Sequence, residues 1–94
     1  MSLISYILRW KTRRSERIVV MLTRPDCHLC VEAWDLLKSY QSRYGFRLEA
    51  KDVDADPSIA ELHGEWIPVV TVDGKVRFRG RINETLLKRL LDSG

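Results

Sequence analysis

Ile18-Val19-Val20-Met21-Leu22 constrains this chain more than any other stretch. Apolar residues without interruption, the first three β-branched, read as a strand covered on both faces, so its sheet needs packed layers on either side. Thr23-Arg24-Pro25-Asp26 breaks the run. A helical pattern then runs from about Cys30 to Tyr44, with Ala33, Trp34, Leu37, Tyr40 and Tyr44 on one stripe and Gly45 at its stop. Strand, turn and helix in that order predict an α/β architecture.

The rest of the chain continues the alternation. Phe46, Leu48 and Ala50 alternate with Arg47, Glu49 and Lys51, which is strand periodicity. Asp56-Pro57 is a helix start, the acid as N-cap and the proline at the first helical position, so Ser58 to His63 reads as a short helix that Gly64 ends. Val69 to Val72 is a strand, Asp73-Gly74 a two-residue hairpin turn, and Lys75 to Arg79 the returning strand, with Val76 and Phe78 expected on one face and the basic residues on the other. Ile82, Leu86, Leu87, Leu90 and Leu91 mark an amphipathic C-terminal helix capped by Asn83. The expected order is β-α-β-α-β-β-α, a four-stranded mixed sheet with helices on both faces.

A length of 94 residues supports one core and one domain. With 45% hydrophobic residues and a net charge of +3, disorder is excluded, and no apolar run approaches the ~20 residues of a membrane-spanning helix. The charge is uneven. Residues 1–17 carry Arg9, Lys11, Arg13, Arg14 and Arg17 against Glu16, a net of +4, which leaves −1 for residues 18–94. A nearly neutral body argues against a nucleic-acid-binding domain, although Lys75, Arg77, Arg79 and Arg81 form a local cluster. Residues 1–16 therefore read as a basic extension ahead of a domain at 17–94. Leu3, Ile4, Ile7, Leu8 and Trp10 give the extension one face of a short helix, packed on the domain or laid on a membrane surface. It has neither the order nor the cleavage site of a secretory signal.

Cys27 and Cys30 are too few and too close for stapling, because a bridge between them closes almost no loop. Their place matters more than their spacing. At a strand-to-helix junction, free amide N–H groups and the helix dipole stabilise an anion, which is expected to lower the pKa of a thiol at Cys27 from about 8.5. Arg24 and a protonated His28 would add to this, and Asp26 would oppose it. Cys30, one turn deeper, is more shielded and able to close a disulfide. Two other readings compete: a pair of inert buried cysteines, against which Pro25 and the loop position speak, and a zinc site of Cys27, Cys30, His28 and His63, which lacks a second Cys or His pair at ordinary spacing. Trp66-Ile67-Pro68-Val69 is the second informative stretch, its proline suited to an edge or an irregular strand start. Trp66 lies between a core role and a groove wall, Trp34 reads as core, and His63 reads as a helix-end residue.

Taken together, Thr23-Arg24-Pro25-Asp26-Cys27-His28-Leu29-Cys30, Asp52-Val53-Asp54-Ala55-Asp56-Pro57 and Gly64-Glu65-Trp66-Ile67-Pro68-Val69 resemble thioredoxin-fold proteins, specifically small glutaredoxin-like proteins that carry C-H-L-C. The hairpin and Gly80 fit the end of the same domain, so the resemblance spans residues 17 to about 92. It implies a thioredoxin-like fold, Cys27 as nucleophile, Cys30 as resolving thiol and Pro68 as a cis proline beside them. It also implies that Ile67 offers its backbone N–H and C=O to a substrate in strand-like pairing. Substrate contacts are expected from Arg24, His28 and Trp66 as well as Ile67, Pro68, Gly80 and Arg81. Glutathione-using relatives show a Gly-Gly followed by an acid before the last helix, and an aromatic between the cysteines. Here the segment reads Phe78-Arg79-Gly80-Arg81-Ile82-Asn83-Glu84, with His28-Leu29 between the cysteines.

The resemblance thus implies a thiol–disulfide oxidoreductase that reduces protein or low-molecular-weight disulfides by a dithiol mechanism, cytoplasmic and monomeric. A reductase or glutathione would donate the electrons, and no metal or other cofactor is required. A reading from a different class is a binding module of the same fold, in which Cys27 ligates an iron–sulfur cluster or the surface docks partners without redox turnover.

Overall fold

The computed structural model describes residues 17–93. The extension at 1–16, with its expected short helix, lies outside the described residues. The apolar run forms β1 (Ile18–Thr23), followed by α1 (His28–Tyr44), β2 (Arg47–Asp52), a 3-10 turn at Val53–Ala55, and α2 (Pro57–His63). A second 3-10 turn at Gly64–Trp66 leads into β3 (Val69–Val72), β4 (Lys75–Arg79) and α3 (Glu84–Asp92). This is the expected β-α-β-α-β-β-α order.

The sheet runs β2-β1-β3-β4, with β1 parallel to β2 and antiparallel to β3, and β3 antiparallel to β4. Residues paired across strands share a face, so Met21, Val70 and Phe78 point one way. They form the main core with Ala33, Leu37 and Tyr40 of α1 and Leu87 and Leu91 of α3. Leu22 and Val69 point the other way, onto Val53, with Ile59 of α2 and Ile67 packed against them. Helices therefore cover both faces, as the sequence predicts.

Coverage of that second face stops short. α2 has only seven residues and reaches the Leu22 end of β1, while Ile18 at the other end is 43% exposed. The expectation of a strand buried along its whole length on both faces is corrected to that extent among the described residues. Val76 and Phe78 also part company. The β3–β4 register shifts between Val70 and Thr71, so Phe78 pairs with Val70 and Val76 with Thr71. One extra residue in a strand turns the residues beyond it to the opposite face. Phe78 enters the core and Val76 is left 38% exposed.

Local chemistry fixes the ends of the elements. Asp56 caps α2 by accepting from Ser58 N–H at 2.9 Å, and Asn83 caps α3 by accepting from Leu86 N–H at 3.1 Å. Asp73 and Gly74 both take positive φ, 52° and 87°, as a tight hairpin turn requires. Asp73 also ties that turn to β1, since its carboxylate accepts from Ile18 N–H at 3.0 Å and its own N–H donates to Ile18 O at 2.8 Å. The Tyr40 hydroxyl donates to Glu84 at 2.7 Å and the Tyr44 hydroxyl to Asp92, joining α1 to α3.

Candidate active site

β1 delivers the chain to a turn whose last residue, Asp26, holds φ at 64°, a left-handed conformation that Asp tolerates better than most side chains. Cys27 then sits in extended conformation as the N-cap of α1, and its sulfur accepts from Cys30 N–H at 3.2 Å. A sulfur thus fills the position that Ser, Thr, Asp or Asn oxygens usually hold. The helix starts at His28, two residues before the expected Cys30, because Cys27 supplies the cap.

The two thiols differ in access. Cys27 is half-buried, whereas Cys30, 2% exposed, belongs to the main core; both are free thiols. Burial pushes the Cys27 thiol up from its ordinary range. The neighbouring Cys30 thiol adds to this by hydrogen bond and by charge, while the amides of Cys30 and Leu29 pull it back. The net direction is upward. The expected lowering is corrected: the helix terminus acts on this sulfur, but loss of water and a second thiol outweigh it in the reduced pair.

Arg24 feels the charge of Cys27, as its position suggests, but its hydrogen bonds go elsewhere. Its Nε and Nη2 donate to Asp54 at 2.8 and 2.9 Å, and Nη1 donates to Gly64 O at 3.3 Å. The guanidinium bridges the turn before Cys27 to the Val53–Ala55 turn and to the segment that leads to Trp66. Asp54 is the residue that sequence reasoning missed. The Asp52-to-Pro57 stretch carries three acids, and nothing in it marks Asp54 as the one that meets Arg24.

The second stretch arrives at the same end of the sheet. Leu22 pairs with Val69, so Pro68 lies beside the last residue of β1, and the Ile67–Pro68 bond is cis. Gly80 holds this segment. Its N–H donates to both Trp66 O and Pro68 O at 2.8 Å, from a backbone with φ at 73° that favours glycine. Those bonds use the carbonyls on either side of Ile67 and leave the Ile67 backbone out of the bridge. Trp66 is 56% exposed beside it and so is not core.

His28 is exposed at the first position of α1. Arg81 is exposed and borders a shallow groove with Leu29, Glu32 and Leu36 on the flank of α1. Trp34 is half-buried, packed against the core on one side. His63 ends α2 with its Nδ1 buried and unbonded. Among the described residues no three His, Cys, Asp or Glu side chains converge as a metal site, so His28 and His63 do not join the cysteines.

The domain as a whole has counterparts among known proteins. A family model for the glutaredoxin-like domain (DUF836) matches residues 18–92. The solution structure of protein Ne2328 from Nitrosomonas europaea is similar at 24% identity and a TM-score of 0.71, over 79% of this chain and 89% of that one. The crystal structure of XcR50 from X. campestris is similar at 27% identity and a TM-score of 0.63, over 81% and 97%. Reduced desulfothioredoxin from Desulfovibrio vulgaris Hildenborough is similar at 23% identity and a TM-score of 0.61, over 84% and 82%. These likenesses are to a fold. No curated protein matches the chain significantly.

Proposed function

This chain belongs to the glutaredoxin-like domain family (DUF836), and from that membership we propose that it is a thiol–disulfide oxidoreductase working through Cys27 and Cys30. The observation that carries the reading is the unequal pair: a reachable sulfur at the start of a helix, with a second, buried thiol in contact with it.

The chemistry follows from that inequality. Cys27 loses its proton to water and attacks one sulfur of a substrate disulfide. A new S–S bond forms to Cys27, the substrate S–S bond breaks, and the leaving thiolate takes up a proton. Cys30 then gives up its proton and attacks Cys27, releasing the second substrate thiol and leaving a Cys27–Cys30 disulfide. The substrate has gained two electrons and the protein has lost them. An external thiol, glutathione or the dithiol of a reductase, returns the protein to its starting state. The amides that bond Cys27 support the thiolate each time it forms. Ile67, at the same end of the sheet as the nucleophile and with its backbone outside the Gly80 bridge, offers the pairing edge for a polypeptide substrate.

The chemistry requires no metal or organic cofactor. The partners are disulfide-bearing proteins or small disulfides together with a thiol donor, and the cytoplasm, where dithiols stay reduced, suits the reaction. Among the described residues no helix is long and apolar enough to cross a membrane.

The test is disulfide reduction by the purified protein, coupled to a thiol donor, with intact-mass analysis of trapped species. Cys27→Ser is expected to fall to the uncatalysed rate, and Cys30→Ser to accumulate a mixed disulfide on Cys27. Equal turnover by Cys27→Ser and the wild type removes the assignment.

A further inference from the structure

We propose that the groove on the β2 side of Cys27 is a substrate subsite for an uncharged aromatic or branched aliphatic side chain next to the disulfide cysteine of a polypeptide. This rests on the oxidoreductase reading and says which substrates the site selects.

From Cys27, α1 carries Cys30, Val31 and Trp34 at offsets of three, four and seven, one stripe of the helix. Cys30 turns into the core, but Val31 stays 58% exposed and Trp34 is only half-buried. Facing them is the edge strand β2, where exposed Ala50 pairs in register with buried Met21. The result is an open cavity of about 650 Å³, lined by Met21, Val31, Trp34 and Ala50, with both cysteines in its wall. That volume falls in the range of ligand sites, far more than a packing defect.

Charge excludes one class of occupant. The charged and titratable side chains lining the cavity besides the two thiols are Arg24, Asp26 and His28, and the Arg24 guanidinium is already bound by Asp54. Among the described residues the cavity therefore offers a carboxylate no unengaged Lys or Arg in its lining, and Asp26 repels one at its mouth. An apolar side chain meets apolar walls and releases water from them.

The cavity also has a defined relation to the reacting atoms. Trp66, Ile67, Pro68 and Gly80 do not line it, so it flanks the nucleophile away from the Ile67 edge. Once a substrate cysteine is bonded to Cys27, its own chain is fixed at the mouth, and a neighbouring residue lies only one Cα step away, about 3.8 Å. With one side of the substrate cysteine paired at Ile67, the residue on its other side is the one within reach of this groove.

The experiment compares kcat/KM for two disulfide-linked peptides that differ only beside the cysteine, Phe in one and Ser in the other. Wild type, Val31→Gln and Ala50→Gln are assayed, both substitutions being exposed and neutral. The expected result is a preference of roughly tenfold for the Phe peptide, on the scale of burying part of an aromatic ring. Both variants should reduce it at least threefold, with the Ser peptide and iodoacetamide alkylation of Cys27 unchanged. No preference in the wild type, or a preference that survives both substitutions, overturns the subsite. If neither peptide is reduced by any form, the oxidoreductase reading fails. The subsite then stands or falls on whether the Phe peptide, and not the Ser peptide, shifts the Val31 and Ala50 amide resonances in the full chain. Absence of shifts, including the case in which residues 1–16 fill the groove, overturns it.

Discussion

Arg24 holds Asp54 with two parallel hydrogen bonds, Nε to Oδ2 at 2.8 Å and Nη2 to Oδ1 at 2.9 Å, thirty residues apart in the chain. The fork makes the turn that presents Cys27 and the turn that follows β2 into one unit, which a lysine cannot reproduce. The hydrogen bond from Arg24 holds the Asp54 carboxyl below the ordinary carboxylate value. A carboxyl lowered in the folded state contributes stability that is complete above its unfolded pKa and is lost as pH falls through the folded one. Asp54→Asn is therefore expected to lower Tm by a few degrees at pH 7, with the gap to wild type closing below about pH 4. Thermal melts at half-unit pH intervals check this. A gap that stays constant down to pH 3 would sink it.

Cys27 is expected to alkylate with a midpoint above that of a free thiol, about 8.5, when the reduced protein reacts with iodoacetamide across pH 6 to 11. Burial raises it first, and the Cys30 thiol raises it further. Cys30→Ala removes the second contribution and keeps the amide at position 30 that donates to the sulfur. Its midpoint should fall below that of the wild type. A wild-type midpoint at or under that of a free cysteine, or no change in Cys30→Ala, contradicts this account of the site.

How much of the molecule was legible in the sequence depends on the range of each interaction. The strand of Ile18–Leu22, the Asp56 and Asn83 caps and the Asp73-Gly74 turn are local, so their residues announce them. The glutaredoxin-like family relation was legible too, because the cysteine pair, the acidic stretch and Trp66-Ile67-Pro68 come in order. The Cys27 cap moved the helix start because sulfur is an unusual cap. Register escaped: the shift between Val70 and Thr71 that parts Val76 from Phe78 depends on how β4 lies on β3. The Arg24–Asp54 fork depends on two turns meeting in space. The direction of the Cys27 shift depends on how much water the fold removes, which spacing does not encode.

Leu37 and Val31 test the division of α1 into a core stripe and an exposed one. Leu37 is fully buried among Met21, Val70 and Leu87, so Leu37→Ala is expected to cost roughly 2–5 kcal/mol in urea unfolding. Val31, six residues earlier and exposed, should change stability by no more than about 0.5 kcal/mol on replacement by Gln. Comparable losses at both positions would mean that the groove beside Cys27 is closed in solution.

Gly80 and Gly74 separate a role in holding the site from mere backbone strain. Both sit at positive φ, 73° and 87°, and a Cβ at either would meet nothing within 4 Å. Alanine at each position therefore carries the same cost, the left-handed backbone of about 1–2 kcal/mol, with no clash added. Their hydrogen bonds differ. Gly80 N–H holds Trp66 O and Pro68 O, the carbonyls that flank Ile67, whereas Gly74 turns the hairpin at the far end of β3. Both variants should melt lower by similar amounts, but only Gly80→Ala should raise KM for a polypeptide disulfide, because relief of the positive φ at position 80 shifts the N–H that anchors the proposed substrate edge. kcat/KM for a small disulfide that does not use that edge should stay near wild type in both. If Gly74→Ala raises KM as much as Gly80→Ala, the effect comes from general loosening of the sheet, and the Gly80 bridge has no special part in substrate binding.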